Sequence, residues 1–231
     1  MWIDKYDKNK YIKEEDDFII AQGGDGTLLR AIQMFKHKDK PFFGIAAGTS
    51  NFLMNNEKNI SKTPKIKTFN LIKAKVIYLK KDRDMSSLGD KYVERTKEFQ
   101  VFNDVMIGGD MNSWIDFNVI DKDKIIGSFK GGGIIFSTSQ GSTGINKNNN
   151  GPILPLSSNN WSVTGDKTNK KINYVIEARK TIIECSSRNP VTVWLDGQNN
   201  VVTNVIKVGI DKGQKVKLVF NDYDSFKIKR S

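Results

Sequence analysis

The sequence predicts two domains, an N-terminal α/β domain followed by an antiparallel β domain, most simply a sandwich. Three observations carry this reading. Phe18-Ile19-Ile20-Ala21 is a short apolar strand that enters Gly23-Gly24-Asp25-Gly26-Thr27, and Leu28-Leu29-Arg30-Ala31-Ile32 leaves it with helical spacing. Pro41-Phe42-Phe43-Gly44-Ile45-Ala46-Ala47 then supplies a second buried strand, which makes a βαβ unit with its ligand edge at the strand C-termini. From about Lys67 the hydrophobic period changes to two, in short stretches separated by polar turns.

Composition narrows the classes open to the chain. A length of 231 residues allows one large domain or two small ones with a real core. With 38% hydrophobic and 27% charged residues the chain reads as a soluble globular protein. No apolar run approaches a membrane span, and the polar N-terminus does not read as a signal peptide. Cys185 is the only cysteine, which gives no disulfide framework and points to the reducing cytoplasm. His37 is the only histidine and sits in Lys36-His37-Lys38 at the end of the first helix, where a cation suits the dipole. That argues against a His-based triad or a His/Cys zinc site, so any general base is a carboxylate. The net charge of +11 comes mainly from lysine rather than arginine. It is weak support for an anionic ligand and weaker support for nucleic acid, which arginine reads better.

Taken in order, residues 1–17 are polar and without period, the pattern of a short frayed element. Strand, glycine turn and helix together aim backbone N–H groups and a helix N-terminus at an anion. Gly23, Gly24 and Gly26 let the backbone approach a ligand closely. Asp25 is out of place in such a cradle unless it carries metal or takes a proton from an attacking hydroxyl. The same pentapeptide also fits a tight turn in which Asp25 or Thr27 caps the helix. Leu28, Leu29, Ile32 and Phe35 form its buried face. The second strand ends in another glycine-led turn, Gly48-Thr49-Ser50-Asn51-Phe52-Leu53.

The change of texture sets the boundary near residues 64–68, giving domains of 1–66 and 67–231, with the last strand free to pack back on the first domain. Alternation marks Ala74–Tyr78, Ile115–Val119, Ile172–Ile176, Thr181–Cys185, Val191–Leu195, Val201–Val208 and Val216–Phe220. Two further constellations carry chemistry. Asn103-Asp104 places an amide beside a carboxylate in an apolar strand, where only one can face the core; a plain strand-end turn reads the same way. Lys130-Gly131-Gly132-Gly133 leads through Ile134-Ile135-Phe136 into Ser137-Thr138-Ser139-Gln140-Gly141-Ser142-Thr143-Gly144-Ile145-Asn146-Lys147. Hydroxyls, glycines and backbone donors after a buried strand suit phosphates and ribose, although a flexible linker has a similar composition. Trp114, Trp161 and Trp194 read as core or interface residues rather than stacking platforms.

Together these motifs resemble the NAD kinase family, whose glycine-rich site is shared with diacylglycerol and sphingosine kinases. Gly23-Gly24-Asp25-Gly26-Thr27 matches the GGDGT motif of that superfamily, and Gly48–Leu53 resembles the second loop. Asn103-Asp104 resembles the Asn-Glu pair, Ser137–Lys147 the STPTGSTAYNK segment, and Leu195-Asp196-Gly197-Gln198 the late Asp-Gly turn. The resemblance implies a Rossmann-like N-terminal α/β domain, a C-terminal β-sandwich domain and an active site in the cleft between them. It implies transfer of the ATP γ-phosphoryl group to the adenosine ribose 2′-hydroxyl of NAD, with Mg²⁺ or another divalent metal. Asp25 would be the catalytic base and a candidate metal contact. Gly23, Gly24, Gly26, Thr27 and Phe52 would border the nucleotides, and Asn103 and Asp104 would hold adenosine. Thr143, Gly144 and Ile145 would line the same pocket, and Lys130, Gln140, Asn146 and Asn148 would complete the set. Homo-oligomers, dimers or tetramers, are expected, with a neighbour able to complete the site.

The chain departs from the family at named positions. Gly132 stands where an acidic residue is common, Gln140 replaces Thr, Gly144-Ile145 replaces Ala-Tyr, and Asp104 is shorter than Glu. Only 22 residues precede Gly23, so the expected nucleotide domain is trimmed by one βα unit. These departures bear on the acceptor more than on Asp25. They keep open a related kinase acting on a nucleoside or lipid hydroxyl, and a non-catalytic NAD(P)-binding protein. They also leave open ATP against polyphosphate as donor and NAD against NADH as acceptor.

Overall fold

Residues 1–17, expected as a frayed lead, contain two short strands, β1 (Trp2–Ile3) and β2 (Tyr11–Glu14), that pair antiparallel. Only Ile12 of β2 is buried, so a strand this short and this exposed leaves little hydrophobic pattern to read. The structure, a computed structural model, describes residues 2–3, 11–47, 51–56, 60–82, 91–110, 113–197 and 200–223. It divides into two units, Met1–Leu71 with Gln214–Ser231, and Ile72–Gly213. The division follows Leu71, and the chain from Gln214 on belongs with the first unit.

In the first unit β2 pairs antiparallel with β3 (Ile19–Gly23), and β3 leads into α1 (Asp25–Phe35). β4 (Phe42–Ala46) lies parallel to β3 from Ile19 opposite Phe42 to Gly23 opposite Ala46, which completes the βαβ unit. Leu28, Leu29, Ala31 and Ile32 are the buried apolar face of α1, with Phe35 half-buried. The Lys36-His37-Lys38 run lies beyond the last helical turn, which holds no basic residue. Lys38 instead meets one Glu14 oxygen at 2.5 Å and Lys40 the other at 2.9 Å. Those two lysines, Lys38 first, bring the Glu14 carboxyl down to about 2.

The second unit is built from strands folded into two sheets. β5 (Lys65–Lys81) enters it from the first unit and pairs antiparallel with β6 (Tyr92–Val101), from Ile72 opposite Val101 to Lys81 opposite Tyr92. There follow β7 (Asp104–Gly108), β8 (Ile115–Asp121), β9 (Lys124–Gly131), β10 (Gly133–Ser137) and α2 (Ile145–Asn148). β11 (Asn160–Asp166), β12 (Asn173–Glu177), β13 (Thr181–Ser186), β14 (Thr192–Leu195), β15 (Asn200–Thr203) and β16 (Val205–Phe220) complete the chain. One sheet has the order β12-β11-β10-β7-β14-β15; the other runs β16-β13-β8-β9, with β5 pairing β16 and β6. Val105, Ile107, Ile134, Phe136 and Val193 of the first sheet share one core with Val76, Phe117, Ile183 and Val208 of the second. This is the expected β-sandwich.

Two turns with left-handed residues shape these strands, the first where the sequence places a turn and the second inside a stretch it reads as one strand. Lys122 and Asp123 link β8 to β9 with φ of 48° and 63°, the two left-handed residues of a type I′ hairpin. Asn204 has φ 57° and splits the single stretch expected over Val201–Val208 into β15 and β16. Val216–Phe220, expected as its own strand, is the end of the 16-residue β16. The end of β16 returns to the first unit, where Leu218 pairs in parallel with Phe42. Trp161 is buried in the sandwich and Trp194 is half-buried, whereas Trp114 is 62% exposed.

Candidate nucleotide site

Gly23 ends β3 with φ of 150°, a value L side chains rarely adopt. Gly24 is the N-cap of α1 and no side chain caps the helix, so neither Asp25 nor Thr27 has the capping role the turn allowed. The half-buried Asp25 carboxylate reaches the second loop instead. Oδ2 accepts the Phe52 N–H at 2.9 Å and Oδ1 accepts the Leu53 N–H at 3.0 Å. Gly26 is exposed with open space where a side chain would go, and Thr27 is buried. Phe52 is half-buried, while Gly48, Thr49 and Ser50 lie outside the described residues.

Asn55, which the sequence reading passed over, locks this loop to the sheet. It is 2% exposed, and its Nδ2 donates to Gly44 O at 3.0 Å and Val219 O at 2.9 Å. Its Oδ1 accepts the Asn221 N–H at 2.8 Å. Nothing in the local sequence marks it, because its partners come from the distant strands β4 and β16.

In the second unit Asn103 forms the turn before β7 and Asp104 is its first residue. Val105 and Ile107 point into the core, so alternation puts Asp104 and Met106 on the other face. Asn103 and Asp104 are both half-buried. The backbone of Phe102 and Asn103 is gripped from two sides. Asp196 accepts the Phe102 N–H at 2.9 Å and the Asn103 N–H at 2.6 Å. Thr138 Oγ1 donates to Phe102 O at 2.8 Å and Gln140 Nε2 to the same oxygen at 2.8 Å. Gly141 lies so close that a Cβ there would run into the Asn103 carbonyl oxygen. Burial, and then the negative charge of Asp196, push the Asp104 carboxyl up to about 7.

The segment after β10 separates interior residues from accessible ones. Gln140 is 4% exposed and spends its amide on Phe102. Asn146 is fully buried: its Nδ2 donates to Ser142 O at 3.0 Å and Pro152 O at 2.9 Å, and its Oδ1 accepts from Ser162 at 2.7 Å and Thr164 at 2.5 Å. These bonds use the full capacity of a primary amide. The side chains of Gln140 and Asn146 thus help hold the loop together. Thr143 and Ile145 are half-buried, and Gly144 and Asn148 are exposed. Lys130 is exposed on β9 and pairs with Asp116 at 2.9 Å. At Gly132 a Cβ would stand 3.5 Å from Asp166 Oδ2, so a carboxylate of β11 already approaches the place where the family commonly has an acidic residue. Of the late turn, Asp196 and Gly197 both have positive φ, at 54° and 70°, and Gln198 lies outside the described residues.

The donor set limits how a metal could bind. Among the described residues no three His, Cys, Asp or Glu side chains come together. A protein-only cage of three or more such side chains is therefore not found among the described residues, and a Mg²⁺ ion there would need nucleotide phosphates or water to complete its shell. No helix among the described residues is long and apolar enough to cross a membrane.

A parallel βαβ unit with a glycine turn at its strand ends, followed by a sandwich bearing a hydroxyl- and glycine-rich loop, defines a nucleotide-binding class of protein. The comparisons agree. The family description "ATP-NAD kinase N-terminal domain" matches residues 4–68. An NAD kinase of Rickettsia akari is 30% identical over 219 residues, covering 90% of this chain and 81% of that protein. One from Clostridium beijerinckii is 29% identical over 224 residues, covering 93% and 77%. The crystal structure of an NAD kinase from Archaeoglobus fulgidus in complex with ATP has the same fold, with a TM-score of 0.69 at 20% identity, covering 92% of this chain and 80% of that one. Yeast NADH kinase complexed with NADH gives a TM-score of 0.67 at 16% identity over 90% and 62%. The chain belongs to the NAD kinase family.

Proposed function

We propose that this kinase transfers the γ-phosphoryl group of ATP to the adenosine ribose 2′-hydroxyl of NAD, giving NADP and ADP. The observation that carries the reading is Asp25, a carboxylate at the C-terminal edge of the parallel strands, steadied by the Phe52 and Leu53 N–H groups. Each carboxylate oxygen can accept more than one hydrogen bond, so a substrate hydroxyl can still reach it. In the proposed step Asp25 takes the proton as the 2′-oxygen bonds to the γ-phosphorus. The bond from that phosphorus to the bridging oxygen breaks, ADP leaves, and the proton passes on to solvent. Mg²⁺ brought by the phosphates would neutralise their charge, with Asp25 its candidate protein ligand.

The glycine turn at Gly23, Gly24, Gly26 and Thr27 borders the phosphates, beside Phe52. Asn103 and Asp104 hold the adenosine, and Thr143, Gly144, Ile145 and Asn148 line its surroundings. Gln140 and Asn146 act behind them by fixing the loop, and Lys130 exchanges Asp116 for a phosphate. The protein works in the cytoplasm as a homo-oligomer in which a neighbour completes the site.

The test is product formation by the purified full chain with NAD, ATP and Mg²⁺, run beside NADH, a nucleoside and a diacylglycerol as acceptors and polyphosphate as donor. NADP as the dominant product supports the reading. Phosphorylation of another hydroxyl in place of NAD, or NAD binding without turnover, overturns it in favour of a related kinase or a binding protein.

A further inference from the structure

We propose that Asp196 is a positioning residue for the dinucleotide, fixing the backbone turn from which Asn103 and Asp104 present their side chains. The inference rests on the reading of those two residues as adenosine contacts. Asp196 is 4% exposed and binds three consecutive residues. Its Oδ2 and Oδ1 take the Phe102 and Asn103 N–H groups at 2.9 and 2.6 Å, and its own N–H donates to Asp104 O at 3.0 Å. An amide has one oxygen, so it cannot give each N–H group an oxygen of its own as the carboxylate does, and the carboxylate's charge strengthens each bond.

The opposite side of the same turn is occupied as well. Thr138 and Gln140 take the Phe102 carbonyl, and Thr138 N–H and Oγ1 take that of Asn103 at 2.9 and 3.0 Å. Donors and acceptors of the main chain are thus satisfied inside the protein. The side chains of Asn103 and Asp104, both partly buried, are not used in holding this turn. Asp196 also acts on Asp104 electrostatically, since its charge helps hold the Asp104 carboxyl above its ordinary range. The partner of Asp104 on β10 is Ser137, followed by Thr138 and Gln140, none of them ionisable, and Asp196 is the charge that shifts Asp104.

The experiment compares wild type with Asp196→Asn and Asp196→Ala in the full chain. It measures kcat, the KM for NAD and for ATP, the melting temperature, and kcat/KM for NAD from about pH 5 to about 9, which spans the Asp104 titration. Asn keeps one acceptor and tolerates the left-handed backbone, which makes it the variant that stays folded. The expected result is a KM for NAD raised roughly tenfold or more, with the KM for ATP unchanged and Ala worse than Asn. The limb of the pH profile near neutrality moves to lower pH, because Asp104 loses a neighbouring negative charge. A fall in melting temperature with the KM for NAD unchanged, or equal rises in both KM values, overturns the proposal and leaves Asp196 a merely structural residue. If Asn103→Ala leaves the KM for NAD unchanged, or wild type makes no NADP, the underlying reading fails, and this role with it.

Discussion

The Phe52 N–H donates to Asp25 Oδ2 at 2.9 Å, and the adjacent Leu53 N–H takes the other oxygen at 3.0 Å. The residue read as the catalytic base is therefore also the clamp on the second loop. Asp25→Asn replaces one acceptor by an NH₂ group facing an N–H donor, at a cost of roughly 1–3 kcal/mol. For a chain of this size that lowers the melting temperature by roughly 2–4 °C per kcal/mol. Calorimetry of the purified variant checks it, and an unchanged melting temperature contradicts the clamp.

Asp104 gives stability a pH dependence of definite sign. Its carboxyl rises from an ordinary 3.8 to about 7 in the fold, so the native state binds the proton more tightly than the unfolded chain. The resulting stabilisation is complete below the ordinary value and is lost as pH rises through about 7. Urea unfolding of wild type and Asp104→Asn at several pH values should show wild type losing stability relative to the variant across that window. A constant difference between the two contradicts the burial of Asp104.

Asn146 holds four partners, so Asn146→Ala should be among the most damaging polar substitutions. It strands the Ser162 and Thr164 hydroxyls and the Ser142 and Pro152 carbonyls inside the protein. The expected loss is roughly 3–5 kcal/mol, measured by denaturant unfolding. A loss within about 0.5 kcal/mol, the range of ordinary surface changes, contradicts the network.

Cys185 is 7% exposed, and burial followed by the Glu184 charge pushes its thiol up to about 12. An inert native thiol follows, since the thiolate is the reactive form. A thiol reagent at neutral pH should label the chain only after denaturation. Rapid labelling of the native protein is the contrary result.

The sequence made the βαβ unit legible because Phe18-Ile19-Ile20-Ala21 and β4 are short apolar runs and the helix between them has one apolar face. It concealed β6, whose residues are mostly exposed, with Glu94, Arg95, Lys97 and Glu98 among them, because such a strand pairs through its backbone and leaves little apolar pattern. It cut β16 in two because Gly209, Asp211, Lys212 and Gly213 interrupt the alternation in a strand that the backbone nevertheless continues. At the site, the residue types were readable and their partners were not. Asp25 was marked by its motif, yet its hold on Phe52 depends on tertiary structure. Gln140 and Asn146 are polar residues in a glycine-rich loop, which reads as ligand chemistry, and only the fold shows the bonds their side chains make within the protein. Asn55 carried no local signal at all.

The measurement closest to the central claim is the rate of NADP formation from NAD and ATP by wild type and Asp25→Asn, with NAD binding and melting temperature followed on the same samples. The account predicts that wild type makes NADP and that the variant, still folded and still binding NAD, loses roughly 10²–10⁴-fold in kcat. A variant that keeps kcat within a few-fold of wild type would show that Asp25 holds the loop and does not take the proton.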